Sequence, residues 1–218
     1  MPIVVVTSMA VDEYRQLDRS RLPRPACLGC GRTMQLWSGY PRQIRQRTGD
    51  GEARSLETHD VRIFRVHCPD CNWTPALLPS FLFGLRRDLA GEIGQALVLL
   101  VRGERITTAA HSVGRPASTV RDWSRRFRER AQALSPGMAS LAVSWGWEGS
   151  DLPLESMHRC LFLLAMLVRQ LERRGRDQQP WHVASWITGS AFLSTNTTPL
   201  PNSARIPQLL WSLPTHGP

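Results

Sequence analysis

Four cysteines stand in two pairs of identical spacing, "CLGC" at Cys27 and Cys30 and "CPDC" at Cys68 and Cys71, with 37 residues between the pairs. A Cys-x-x-Cys turn aims both sulfurs at one ion, and two such turns supply the four tetrahedral thiolates that zinc prefers. One pair alone would equally suit a redox dithiol or a core position. Two pairs, each flanked by strand-like sequence, point to a zinc ribbon with Zn2+ in a structural role. Four thiolates close the coordination shell, so water has no open position and the ion would not be catalytic. His67 beside the second pair is expected to alternate to the other strand face, and Cys160 to be a small core residue.

The second group is basic. The stretch "GRPASTVRDWSRRFRER" at 114–130 carries six arginines and two acids. On a helical wheel Val120, Trp123, Phe127 and Ala131 form one apolar stripe, with the arginines on the other faces. Every one of the 27 basic residues is arginine, and the net charge is +9. The excess is uneven: residues 1–83 are net +3, 84–130 net +5 and 131–218 net +1. A charge maximum confined to one segment points to a polyanionic partner for that segment.

These residues need elements to hold them. Residues 3–7 read as a short buried strand, 11–17 as a turn or two of helix, and 34–40 and 61–67 as strands around the cysteine pairs. The stretch 42–59 reads as a polar insertion with "TGDGE" at 48–52 as a turn or mobile loop, and 77–81 as a link to the next unit. From Asp88 the period becomes helical: Leu89, Ile93, Ala96, Leu97 and Leu100 share a face, and Gly103 ends the run. A second short helix covers 106–113, Gly114 breaks it, and a third spans about 116–133 with Pro116 at its start. Residues 134–152 read as a linker, 154–174 as a strongly apolar helix, 181–192 as another, and the five prolines after Thr195 as an extended or disordered tail.

Three helices in this order, with a glycine turn before a basic third helix, make a helix-turn-helix. In that arrangement Ala117, Ser118, Arg121, Asp122 and Arg125 meet base edges, arginine taking guanine and Asp122 accepting from cytosine or orienting Arg121 or Arg125. Arg102, Arg105, Arg115, Arg126 and Arg128 then bind phosphates and set register. A protein-interaction module, with the arginines as a solvated face, is the alternative. The segment "ITTAAHSVGRPASTVRDWSRRF" resembles the helix-turn-helix of insertion-sequence transposases and resolvase-like proteins. With the cysteine pairs and "LLPSF" in front, residues 20–130 resemble an actinobacterial family known as a domain of unknown function. The resemblance implies a fold and DNA binding, and no defined activity.

The acids that follow the basic helix are Glu148, Asp151, Glu155, Glu172 and Asp177, without the alternating strands that a two-metal carboxylate site requires. No nucleophile–base pair or glycine-rich phosphate loop stands out, so the expectation is not an enzyme. "PIVVV" is too short for the apolar region of a secretory signal, and the dense apolar run at 160–168 is far below the roughly 20 residues that span a bilayer. The expected compartment is cytoplasmic, at the nucleoid. The expected fold is mainly α with a small β zinc ribbon: 1–83 strand and ribbon, 84–133 helix-turn-helix (a homeodomain-like three-helix unit), 134–194 linker and C-terminal helices, 195–218 tail. The expected partners are double-stranded DNA and, through the apolar C-terminal helix, a second copy or another protein.

Overall fold

The structure is a computed structural model that describes residues 2–5, 9–49, 55–149 and 151–194. Its first half is a mixed four-stranded sheet in the order β1-β4-β3-β2, with β1 at Ile3–Val5, β2 at Gln35–Thr48, β3 at Ser55–His67 and β4 at Ala76–Pro79. β2 and β3 form an antiparallel hairpin in register from Gln35↔His67 to Thr48↔Ser55, with an irregularity between Leu36 and Ser38. β4 runs antiparallel to β3, and β1 parallel to β4. Alternation along the strands gives the sheet two apolar faces. Ile44, Val61, Ile63 and Leu78 pack on helix α1 (Val11–Arg15) through Val11 and Tyr14. Ile3, Met34, Val66 and Leu77 pack around Cys27 and Cys68.

The sheet corrects the expectation of a mainly α chain with a small ribbon. Strands of 14 and 13 residues replace two short ones, the polar 42–59 stretch supplies their outer halves, and the expected link at 77–81 contributes β4. The physical reason is remote. β2 is an edge strand, and its outer half is bonded along the free edge to residues far down the chain. The Arg45 amide donates to the Arg87 carbonyl (2.7 Å) and the Arg47 amide to Glu92 Oε1 (2.7 Å). The Arg42 guanidinium donates to the Phe83 and Arg86 carbonyls, and that of Arg47 to the Ser112 carbonyl. An edge covered in this way tolerates polar side chains because its stability lies in the backbone.

The second half is helical: α2 at Ala90–Val101, α3 at Ile106–Val113, α4 at Ala117–Ser144, α5 at Ser156–Glu172 and α6 at Pro180–Ile187. α3 ends on Gly114 in the left-handed region (φ 63°), and the Arg115 amide reaches back to the Ala110 carbonyl (3.0 Å). That is the usual glycine stop, in which a residue without Cβ turns the chain and satisfies the last carbonyls. α4 does not give way to a linker at residue 134. It passes through Pro136, which is exposed, while the Ser135 hydroxyl donates to the Ala131 carbonyl (2.7 Å). Proline costs a helix one hydrogen bond, and here the buried stripe Leu134, Met138, Leu141 and Ala142 outweighs it.

One core unites these helices. It runs from Val4 through Ile93, Leu97, Val113, Trp123 and Phe127 to Leu163, Leu167, Trp186 and Leu193. Phe192 stacks on Phe83 and Phe127 with ring centroids 5.3 and 5.2 Å apart. Trp181 lies so close to Gly94 that a Cβ there would meet its ring at 1.8 Å. Trp145 and Trp186 are buried and stacked, so they serve the core. Residues 195–218, with Trp211 and the expected tail, lie outside the described residues.

Candidate metal centre and nucleic-acid interface

The two cysteine pairs meet at one end of the hairpin. Cys27 and Cys30 precede β2 and Cys68 and Cys71 follow β3, each pair in a turn closed by a short bridge, Ala26↔Thr33 and Cys68↔Trp73. The four Sγ atoms all lie within 4.8 Å of one another, close enough to hold a metal ion. Cys27 and Cys68 are buried, whereas Cys30 and Cys71 reach the surface. Amides of Cys30 and Gly29 point at the Cys27 sulfur and lower its thiol to about 7. Cys71 is pushed up to about 12 by the neighbouring sulfurs of Cys30 and Cys27. Sulfurs this close compete for negative charge, a conflict that a bound cation removes. An Arg32–Asp70 ion pair (2.7 Å) ties the two turns together outside the cluster. His67 stays out of it: its ring packs on Trp37, and Nε2 lies 3.3 Å from Asn72 Oδ1. Cys160 is fully buried in α5, against the sulfur of Met138 (3.6 Å).

The residues assigned to base edges lie in the first turns of α4, opposite the buried Val120, Trp123 and Phe127. Ser118, Arg121 and Arg125 are exposed, and Ala117 is half-buried. Asp122 orients arginines: it accepts from Arg125 (2.7 Å) and Arg126 (2.8 Å), with Arg86 at 3.6 Å. Partial burial pushes its carboxyl up, and the bonds from Arg126 and Arg125 outweigh this and hold it below the usual range. Arg125 is gripped from the other side by Glu129 (3.0 Å). Arg121 has no ion pair among the described residues.

Of the residues assigned to phosphates, Arg102, Arg105 and Arg128 are exposed and Arg126 is half-buried against Asp122. Arg115 requires a correction, because its side chain is fully buried and cannot reach a phosphate. Its guanidinium donates to Asp88 Oδ1 (2.6 Å), Glu92 Oε2 (2.5 Å) and the carbonyls of Gly114 (3.2 Å) and Arg45 (3.4 Å). It therefore locks the turn before α4 to the start of α2 and the edge of β2. Burial raises the Glu92 carboxyl, against the Arg47 amide and the Arg115 charge.

Two neighbours of α4 went unassigned in the sequence. Arg86 and Arg87, in the loop before α2, flank its first turns and line an open cleft of about 460 Å3 with Arg45, Ser118 and Asp122. The adjacent arginines were visible in the segment of highest charge, but only the folded hairpin and loop bring them to α4. No helix among the described residues is long and apolar enough to cross a membrane. No family model matches the chain, and no curated protein or solved structure is similar to it.

Proposed function

We propose that the chain is a sequence-specific double-stranded DNA-binding protein without catalysis of its own, acting as a transcriptional regulator or as the DNA-recognition component of a mobile element. The carrying observation is the exposed outer face of α4, where Ser118, Arg121 and Arg125 project and Arg121 has no ion pair among the described residues. A guanidinium not engaged by carboxylates has both terminal nitrogens available for a guanine edge. α3 lies across the Gly114 turn, and Arg102, Arg105, Arg126 and Arg128 supply charge for phosphates.

The ion we assign to the cysteines is zinc. With bonds of about 2.3 Å, tetrahedral zinc sets its sulfurs about 3.8 Å apart. The Cys30–Cys68 separation of 3.5 Å and the 4.8 Å limit on all pairs bracket that distance. Zinc supplies structure here: Cys27, Cys30, Cys68 and Cys71 hold it as thiolates, and loading releases their remaining protons.

The test is selection of bound duplexes from a random library with zinc-loaded protein, followed by titration of Arg121→Ala. A compact motif is expected, with a log–log salt slope of about −4 to −7 for five to eight phosphate contacts. Arg121→Ala should lose about 1–3 kcal/mol and relax one position of the motif. Unchanged binding by that variant removes α4 as the reading helix. Recovery of no motif, with no salt-dependent affinity, favours a protein partner instead.

A further inference from the structure

The loop between β4 and α2 holds a residue that the fold does not explain. Leu85 is 96% exposed, and its backbone lies in the left-handed region at φ 60°. A leucine there is strained, and a glycine would not be. Strain of this kind persists only where the surroundings enforce it. Here they do. The Gly84 amide donates to the Ser190 carbonyl (2.8 Å), and the Leu82 carbonyl accepts from the Ser185 hydroxyl (2.6 Å). The Arg42 guanidinium clasps the carbonyls on either side, those of Phe83 and Arg86. The loop is thus rigidly built to carry an apolar side chain into solvent.

What surrounds Leu85 is mainly polar, with arginines, hydroxyls and the carboxylates of Asp88 and Asp122. Its cleft, about 460 Å3, is lined by Arg45, Arg86 and Arg87 and by the first turns of α4 at Ser118, Thr119 and Asp122. The two carboxylates are already engaged: Asp88 with Arg115 and Arg45, Asp122 with Arg86, Arg125 and Arg126. Arg87 is exposed and has no ion pair among the described residues. The guanidinium of Arg87, without an ion pair beside one apolar side chain, suits a ligand that alternates phosphate with a hydrophobic sugar.

We propose that the loop at 84–88 is a second DNA-contacting element, in which Arg87 and Arg45 seat a backbone phosphate next to the bases under α4 and Leu85 packs on the adjoining deoxyribose. This rests on the duplex-binding reading above, and adds to it a contact outside the helix-turn-helix. It also gives the β2 edge a purpose, since Arg42 and Arg45 both belong to that strand and fix or complete the loop.

The test compares Leu85→Gly, Arg87→Ala and Arg121→Ala on a labelled duplex carrying the selected motif. Leu85→Gly relieves the strained backbone, so the zinc-loaded protein should keep or raise its Tm while binding weakens severalfold. Arg87→Ala should cut affinity about fivefold at 0.15 M salt on every sequence and reduce the salt slope by about 1. If both loop variants bind like wild type while Arg121→Ala weakens, the loop is not a contact and the duplex-binding reading stands. If Leu85→Gly lowers Tm and affinity together, the loop acts through the fold and the proposal fails. If the wild-type protein retains no duplex, both readings fall.

Discussion

Arg115 shows how little a residue's type says about its task. It sits among exposed arginines in the sequence, yet its guanidinium is enclosed and bonded to Asp88 and Glu92. Removing one partner of a buried charge group leaves the others uncompensated, at a cost of about 3–5 kcal/mol. Arg115→Ala should therefore lower unfolding stability by that amount in a urea titration. Arg115→Lys should not rescue it, because a single ammonium cannot span both carboxylates. A near-neutral Arg115→Ala would show the pair to be unimportant. Glu155 works on a smaller scale. Partial burial raises its carboxyl, but bonds from the His158 and Met157 amides outweigh this and hold it below the ordinary 4.5. A depressed folded-state pKa gives stability that is complete above the unfolded value and lost as pH falls through the folded one. Wild type minus Glu155→Gln should show a stability difference that shrinks as pH falls below 4.5, where the carboxylate is lost. A difference that does not change with pH would remove the charge from the cap.

At the scale of elements, the parts legible in the sequence were those whose causes are local. Each Cys-x-x-Cys turn carries its own chemistry, and the sulfurs converge as the spacing implies. The apolar period and Gly114 placed α2, α3 and the start of α4. α3 starts without a capping side chain, since Arg105 at its N-cap makes no cap bond. The outer halves of β2 and β3 were illegible, because polar residues of β2 are held by Phe83, Arg87, Glu92 and Ser112 and β3 pairs on β2. Pro136 misled in the opposite direction: a residue that usually ends helices lies on the exposed side of one whose buried stripe continues. The exposed face of α4 was readable from its apolar stripe. Arg86, Arg87 and Leu85 were not, since sequence alone does not bring a loop beside a helix.

For the whole molecule, the cysteine cluster and α4 are separate places joined by β2. The cysteines lie at its first end, while its last residues bond to the loop and helices that position α4. Structural zinc contributes about 10–16 kcal/mol in small metal-folded peptides. On the zinc assignment, stripping the metal with a chelator, or Cys68→Ser, should therefore remove several kcal/mol of stability. On the duplex-binding reading it should also weaken DNA binding, although none of the four clustered cysteines belongs to the exposed face of α4. Circular dichroism with a parallel duplex titration checks this. Intact binding after complete metal loss would show that the helices stand without the sheet.

The bond from Ser185 to Leu82 closes a span of 103 residues, and that from Gly84 to Ser190 a similar one. Loop closures of this length make folding slow relative to contacts between neighbours. They also set an order of events during synthesis. Both cysteine turns, the hairpin and the start of α4 leave the ribosome long before the segment that braces the 84–88 loop. At about 5–20 residues per second, the nascent chain waits several seconds with its cysteine turns complete and the arginine-lined cleft still unbraced. The four sulfurs can thus converge before the surface is finished, and a chain cut after α4 would carry that helix without the contacts that hold Leu85 in place.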